Sequence, residues 1–251
     1  TTSPILALTG SNGKTTTVQL LHEMCISDGK TSLLGGNVGI PFSENVLWEL
    51  TSKISSPVHV LELSSFQLEH VRLFSPTISG ILNISPDHMD RYEDFDAYVS
   101  NKLKLAEQTQ KKGWIVYNAD DPVLFKSLTN IPRTAIFSVT QNPDCYFKLN
   151  ASKVYSGQVD KPKILFKLED SNLKGFHNIQ NVLAAATMAH KFDISHSAIQ
   201  HTIMNFTPIH HRLEWIGNIN NVDYFNDSKA TNIAATRAAI ESFDENLILI
   251  L

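Results

Sequence analysis

Thr9-Gly10-Ser11-Asn12-Gly13-Lys14-Thr15-Thr16 sets two glycines, a lysine and several hydroxyls between an apolar run and a helical pattern. Glycines let backbone N–H groups approach phosphate oxygens, and the start of the following helix adds partial positive charge. Lys14 can bridge the β- and γ-phosphates of a nucleoside triphosphate, and the Thr15 hydroxyl can ligate Mg2+. The strict pattern G-x-x-x-x-G-K-[ST] would have glycine at position 8, where this chain has Leu8. The plainer reading is a glycine-rich strand-to-helix turn with an exposed lysine. The coincidence of strand, glycines, Lys-Thr pair and helix favours a phosphate loop.

Acidic and imidazole groups follow at strand ends. Glu62 stands in Leu61-Glu62-Leu63-Ser64-Ser65-Phe66-Gln67, and Asp87-His88-Met89-Asp90-Arg91 follows the apolar run 78–84. Ligands of open α/β sheets bind beyond the carboxyl ends of strands. There Glu62 could hold an Mg2+ shared with the nucleotide, and His88 could ligate a metal or donate to a phosphate. Residue type alone gives blander alternatives: a solvated strand-end carboxylate and a surface histidine among charges. Lys102 lies in a helical pattern over 96–105, where a solvated lysine is the unaided reading. Likewise Gly35-Gly36-Asn37-Val38-Gly39 reads as a glycine loop, Asn178 suits a helix N-cap, and Asn226-Asp227-Ser228-Lys229-Ala230-Thr231-Asn232 reads as a polar turn capping a helix.

These groups need a scaffold. Residues 5–8, 58–63, 78–84 and 114–117 are strand candidates, and 15–27 carries apolar residues at helical spacing, with Gly29 suited to its C-terminus. Between about 144 and 175 the helical pattern stops. Residues 146–149 and 163–168 read as strands with Ser156-Gly157 as a turn. Helices follow at 178–191 and 195–205, and Pro208 marks a break. Residues 222–225 and 247–251 read as the first two strands of a further α/β unit, with a helix over 232–242 between them. The expectation is an α/β chain: a mainly parallel sheet of the phosphate-loop type flanked by helices, a small antiparallel insert, and the beginning of a Rossmann-like domain.

Of 251 residues, 42% are hydrophobic and 18% charged, which suits a sizeable core. The net charge of −4 gives no general affinity for nucleic acid or an anionic membrane, so any polyanion must be held locally. Cys25 and Cys145 form neither a disulfide framework nor a metal spacing, which fits a reducing cytoplasm. The sequence shows no span-length apolar stretch and no signal peptide. It opens at Thr1 almost directly on a strand and stops in the apolar run 247–251, so a fragment of a longer polypeptide is expected.

Thr-Gly-x-Asn-Gly-Lys-Thr resembles the phosphate-loop variant of the Mur ligases and folylpolyglutamate synthetases. These enzymes use ATP to make an acyl phosphate that an amine then attacks. The Glu62, Asp87-His88 and Asn226 motifs narrow the resemblance to the Mur ligases, near their D-glutamate-adding, MurD-type branch, and it covers essentially the whole chain. It implies a cytoplasmic, monomeric enzyme joining D-glutamate to UDP-N-acetylmuramoyl-L-alanine in peptidoglycan precursor synthesis. It also implies a central ATP-binding domain over 1–208 and the start of a C-terminal domain over 209–251. The family's uridine-binding domain and most of its D-glutamate-binding part are expected outside this chain.

The site residues implied by resemblance are these. Gly10, Ser11, Asn12, Gly13, Lys14, Thr15 and Thr16 would hold ATP phosphates, Asn178 and Asn181 would lie near the adenine, and Arg212, Asp227 and Thr231 would reach the nucleotide. Two Mg2+ ions are implied, one held by Thr15 and Glu62 and the other by His88 and a carbamylated Lys102. Asn37, Ser64 and His88 would contact the UDP-sugar substrate, and Lys14, His88, Lys102 and Lys229 would serve catalysis. Carbamylation needs a neutral amine, so burial or nearby cations must lower the pKa of Lys102. Another ligase of the same superfamily, or a nucleotide-binding module without ligase turnover, stands as the alternative.

Overall fold

The computed structural model of the chain describes residues 1–52, 54–140, 147–150, 153–156, 163–167, 173, 176–243 and 247–250. Its strands are β1 (Ile5–Thr9), β2 (Ser32–Gly36), β3 (Val58–Glu62), β4 (Ile78–Ile81), β5 (Trp114–Asn118), β6 (Thr134–Ser138), β7 (Phe147–Asn150), β8 (Lys153–Ser156), β9 (Lys163–Lys167), β10 (Glu214–Ile219) and β11 (Val222–Asn226). The helices are α1 (Lys14–Ser27), α2 (Phe42–Ser52), α3 (Ser65–Glu69), α4 (Phe95–Glu107), α5 (Pro122–Leu128), α6 (Phe176–Lys191), α7 (His196–Asn205) and α8 (Ile233–Ile240).

β1 to β9 form one sheet in the order β2-β3-β1-β4-β5-β6-β7-β8-β9. Its first six members run parallel. β7 continues parallel against β6, β8 runs antiparallel to β7, and β9 runs antiparallel to β8. The antiparallel insert therefore extends the edge of the main sheet and is continuous with it. Tyr146, Gly157 and Leu168, which bounded the expected strands and turn, lie outside the described residues.

All five residues of β1 are buried, as a strand covered on both faces requires. Successive side chains point to opposite faces. Leu6 and Leu8 enter the core shared with α1, α6 and α7, and Ile5 and Ala7 enter the core that Leu68 of α3 and Leu105 of α4 complete. α4 starts at its N-cap Asp94, whose carboxylate accepts the N–H of Ala97 at 2.7 Å. It buries Tyr98, Asn101, Lys102 and Leu105, the spacing of one helical face. Lys102 thus points inward, whereas Lys104 is only partly covered. Cys25 is a buried free thiol on α1, and burial pushes its pKa up to about 12. Among the described residues no helix is long and apolar enough to cross a membrane.

The C-terminal part departs from expectation. β11 pairs antiparallel with β10, a strand the sequence reading did not foresee, and residues 247–250 carry no strand. Asn220 and Asn221, at φ of 53° and 63°, make the two-residue turn between β10 and β11. Two adjacent residues at positive φ match the twist of an antiparallel hairpin, and asparagine tolerates them. Ile248 and Ile250 are 87% and 86% exposed, and a strand needs a neighbour to take its backbone hydrogen bonds.

Candidate active site

β1 lies between β3 and β4, so the segments leaving the carboxyl ends of these three strands meet at one edge of the sheet. The strand runs through Leu8, which is fully buried and registers with Glu62 and Gly80. The turn begins only at Gly10, which is why position 8 needs no glycine. Gly13 sits at φ 84° as the N-cap of α1, with no side-chain cap. The first-turn N–H groups of α1 are therefore free of a side-chain partner and face the cavity, the arrangement that receives anions. A Cβ at Gly13 would collide with Oδ1 of Asn181.

Asn12 is clamped by a residue that sequence reasoning missed. Its N–H donates to Oδ1 of Asn83 at 2.8 Å, and Nδ2 of Asn83 donates to its carbonyl at 3.1 Å. Asn83 lies two residues past the end of β4, the same strand-end logic that singled out Glu62. Ser11 is held by Tyr98, whose hydroxyl lies 3.0 Å from its Oγ, and it donates to the carbonyl of Ser85 at 2.9 Å. Lys14 curls back on the loop, donating at 2.9 Å to the carbonyls of both Gly10 and Ser11. Burial lowers its pKa against the pull of Glu62 and Asp87, and Arg212 lowers it further.

Lys102 is buried behind this loop. Its Nζ donates to the Gly10 carbonyl at 2.9 Å and lies 4.8 Å from the centroid of the Tyr98 ring. Burial first, then the charge of Lys14, brings its pKa down to about 7 against an opposing effect of Asp87. A substantial neutral fraction at ordinary pH is what a reaction of this amine with carbon dioxide requires.

Glu62 closes β3 almost fully buried. Asn37 donates to its Oε1 at 2.9 Å, and its backbone carbonyl accepts the N–H of Asn37 at 2.8 Å. Its Oε2 is buried without a hydrogen-bond partner. A bare carboxylate oxygen beside a phosphate loop suits a hard cation. Among the described residues no three His, Cys, Asp or Glu side chains cluster as ligands. Mg2+ does not demand such a cluster: it commonly takes one or two protein oxygens and completes its shell with water and phosphate. Thr15 supplies a hydroxyl on the same cavity wall. His88 is half-exposed at φ 54°, and its ring packs 5.0 Å from Phe66. Ser64 is the N-cap of α3, where it forms a capping box with Gln67.

The opposite wall comes from α6 and from the chain after Pro208. Asn178 and Asn181 lie within α6, not at its cap, and Nδ2 of Asn181 donates to Oδ1 of Asn178 at 3.4 Å. Arg212 donates to the Thr15 hydroxyl at 3.0 Å. Asp227 accepts the N–H of Leu213 at 3.1 Å. Burial pushes its carboxyl up, opposed by that hydrogen bond and by His177 and Arg212. Asn232, after Thr231, reaches Asn12 and Asp87.

A cavity of about 300 Å³ results. It brings together Ser11, Asn12, Gly13, Lys14, Thr15, Thr16, Asn37, Glu62, His88, Asn178, Asn181, Arg212, Asp227, Lys229 and Thr231. Gly10, Ser64 and Lys102 are not on its lining: Gly10 opens the loop with its carbonyl turned to Lys102, which lies behind it, and Ser64 caps α3. Asn83, Asp87, His177 and Asn232 line it without having been assigned a role from sequence. A second cleft, about 440 Å³, opens beside Phe66, Gln67, Glu69 and Arg91, and His88 borders both.

Comparison with known proteins agrees with this geometry. The chain is 35% identical to the UDP-N-acetylmuramoylalanine–D-glutamate ligase of Koribacter versatilis over 254 aligned positions, covering 98% of this chain and 54% of that protein. The ligase of the same name from Rickettsia prowazekii is 32% identical, with 95% and 52% covered. The chain thus spans about half the length of the curated relatives it matches. A pseudomurein peptide ligase type C from Methanothermus fervidus superposes with a TM-score of 0.73 at 20% identity, over 97% of this chain and 57% of that one. At that identity the likeness concerns the fold. The model of the Mur ligase middle domain matches residues 8–189, a span running from the end of β1 through the phosphate loop to the end of α6, and by that match the chain belongs to the Mur ligase family.

Proposed function

We propose that this chain is the ATP-binding part of an ATP-dependent amide ligase that joins D-glutamate to UDP-N-acetylmuramoyl-L-alanine in cytoplasmic peptidoglycan precursor synthesis. The observation that carries this reading is the single cavity in which the phosphate loop faces the unpartnered oxygen of Glu62 and the Arg212, Asp227 and Lys229 side chains. The relatives named for D-glutamate ligation support the choice of substrates. We assign residues 1–208 to the central domain and 209–251 to the start of the next, acting in a monomeric enzyme that serves cell-wall growth and division.

The loop amides and the N-terminus of α1 hold the triphosphate in place. Asn178 and Asn181 lie on the α6 wall where the base would rest. The acceptor's carboxylate oxygen attacks the γ-phosphorus, the bond to the β,γ-bridging oxygen breaks, and ADP leaves. Lys14 swings from the carbonyls of Gly10 and Ser11 onto the transferring phosphoryl oxygens, where negative charge accumulates. The amine of D-glutamate then attacks the acyl carbonyl, gives up a proton and expels phosphate, leaving an amide. Thr15 and Glu62 would hold one Mg2+, and His88 with a Lys102 carbamate a second. The ions would neutralise charge on the phosphate oxygens. Asn37 orients Glu62, and Arg212 and Lys229 add positive charge from the facing wall. Covering the site protects the acyl phosphate from water.

The test is phosphate release by the longer protein containing this chain, with a panel of acceptors and amino acids. Release that depends on both UDP-N-acetylmuramoyl-L-alanine and D-glutamate supports the reading. Release with a folate and L-glutamate would move the chain to the folylpolyglutamate side of the superfamily. Nucleotide binding with no turnover on any pair would leave it a binding module.

A further inference from the structure

Asn232 caps α8 with its side-chain Oδ1, which accepts the N–H of Ala235 at 2.8 Å. That leaves its amide Nδ2 to point away from the helix. The amide donates to Oδ1 of Asn12 in the phosphate loop at 3.1 Å and approaches Oδ2 of Asp87 at 3.4 Å. The backbone of Asn12 is fixed on both sides by Asn83, so its side chain is a firm anchor. One residue therefore ties α8 to the loops after β1 and β4.

Bonds from Arg212 to Thr15 and between Ser242 and His177, at 3.0 and 3.3 Å, cross the same gap. The first occupies the hydroxyl assigned above to Mg2+ and must yield when a metal–nucleotide enters. The Asn232 bonds go to the side chains of Asn12 and Asp87, whereas the loop would hold phosphate through its backbone amides, so nucleotide entry does not require them to break. Ser or Asp would cap α8 as well as Asn does. Ser is too short to span the gap. Asp has no donor and would set a second carboxylate against Asp87.

We infer that Asn232 is a positioning residue: a clasp that registers the 227–231 segment over the phosphate loop through Asn12 and Asp87 and so holds that loop in shape for a nucleotide. The effect on nucleotide affinity rests on the ATP-site reading above, whereas the clasp itself is a property of the free chain.

The test compares the 251-residue chain with Asn232→Ser, Asn12→Ala and the double variant. Calorimetry with Mg2+ and a non-hydrolysable ATP analogue should show Asn232→Ser binding about tenfold more weakly, the scale of one or two lost hydrogen bonds. In the Asn12→Ala background the same change should cost about twofold or less, because its main partner is already gone. Hydrogen exchange on the free chain should show faster exchange over residues 10–16 in Asn232→Ser, with α8 unchanged because serine keeps the cap. Unaltered exchange over 10–16, or additive losses of affinity, would overturn the clasp. If the unmodified chain takes up no nucleotide, the ATP-site reading fails by itself, and exchange on the free chain still decides for or against the clasp.

Discussion

The ammonium of Lys102 and the carbonyl of Gly10 lie 2.9 Å apart, although 92 positions separate them in sequence. A buried amine on α4 thus supports the phosphate loop from behind. The amine, with a pKa of about 7, is divided between charged and neutral forms near neutrality. The neutral form can attack carbon dioxide, losing a proton and becoming an anionic carbamate. Lys102→Ala should lower acceptor-dependent phosphate release in the longer protein by at least about 100-fold, the scale of a lost charge-positioning group. A small added carboxylate should restore part of it. Labelled bicarbonate should give a carbamate carbon signal in the unmodified protein and none in the variant. Near-normal turnover in Lys102→Ala, without any additive, rules the role out.

Lys14 offers a cleaner separation of function from stability. Its charge is disfavoured by burial, and its bonds go only to neutral carbonyls of its own loop. Taking an ammonium out of water is costly, so removing it need not weaken the fold. Lys14→Met should abolish ATP turnover while the melting temperature does not fall. Intact turnover would show that the loop does not handle phosphate.

Gly13 is where backbone geometry and packing coincide. A side chain at φ 84° costs about 1 to 2 kcal/mol. Its Cβ would also displace the Asn181 amide, which is 5% exposed and has little room to retreat. Gly13→Ala should lower stability by at least that amount and weaken nucleotide binding about tenfold or more. Adding Asn181→Ala should relieve only the collision and leave the backbone cost. Denaturant unfolding of the single and double variants measures both parts, and full recovery in the double variant would leave no backbone penalty at Gly13.

The positions of Glu62, His88 and Lys14 around one cavity were legible because each lies at or beyond the carboxyl end of a buried apolar strand, and the strand order brings β3, β1 and β4 side by side. β2 escaped notice because Ser-Leu-Leu-Gly-Gly carries too few apolar residues to show a strand pattern. α2 escaped because it buries chiefly Asn45 and exposes Leu47 and Leu50, so its apolar residues do not mark a core face. The β10–β11 pair carries a readable turn signal in Asn220-Asn221, because asparagine tolerates the positive φ that a two-residue hairpin turn needs. Asn232 could not be found from spacing: its partners Asn12 and Asp87 are 220 and 145 positions away, and residue type predicts only the cap.

Glu49 gives the fold an acid-sensitive point far from this chemistry. Burial would raise its pKa, but hydrogen bonds from Ser3 at 2.5 Å, Thr1 at 3.0 Å and His59 at 2.9 Å outweigh that and bring it to about 2. The unfolded chain, with its carboxyl near 4.5, binds more protons than the folded one between these two values. Stability from this group is therefore complete above about pH 4.5 and is lost as pH falls towards 2. Glu49→Gln removes the titrating group, so the variant should be less stable than the unmodified chain at pH 6, with the gap shrinking steadily by pH 3. Melting temperatures of both across this range provide the measurement. A gap that is constant with pH would mean that the carboxylate is not held in its charged form by Ser3, Thr1 and His59.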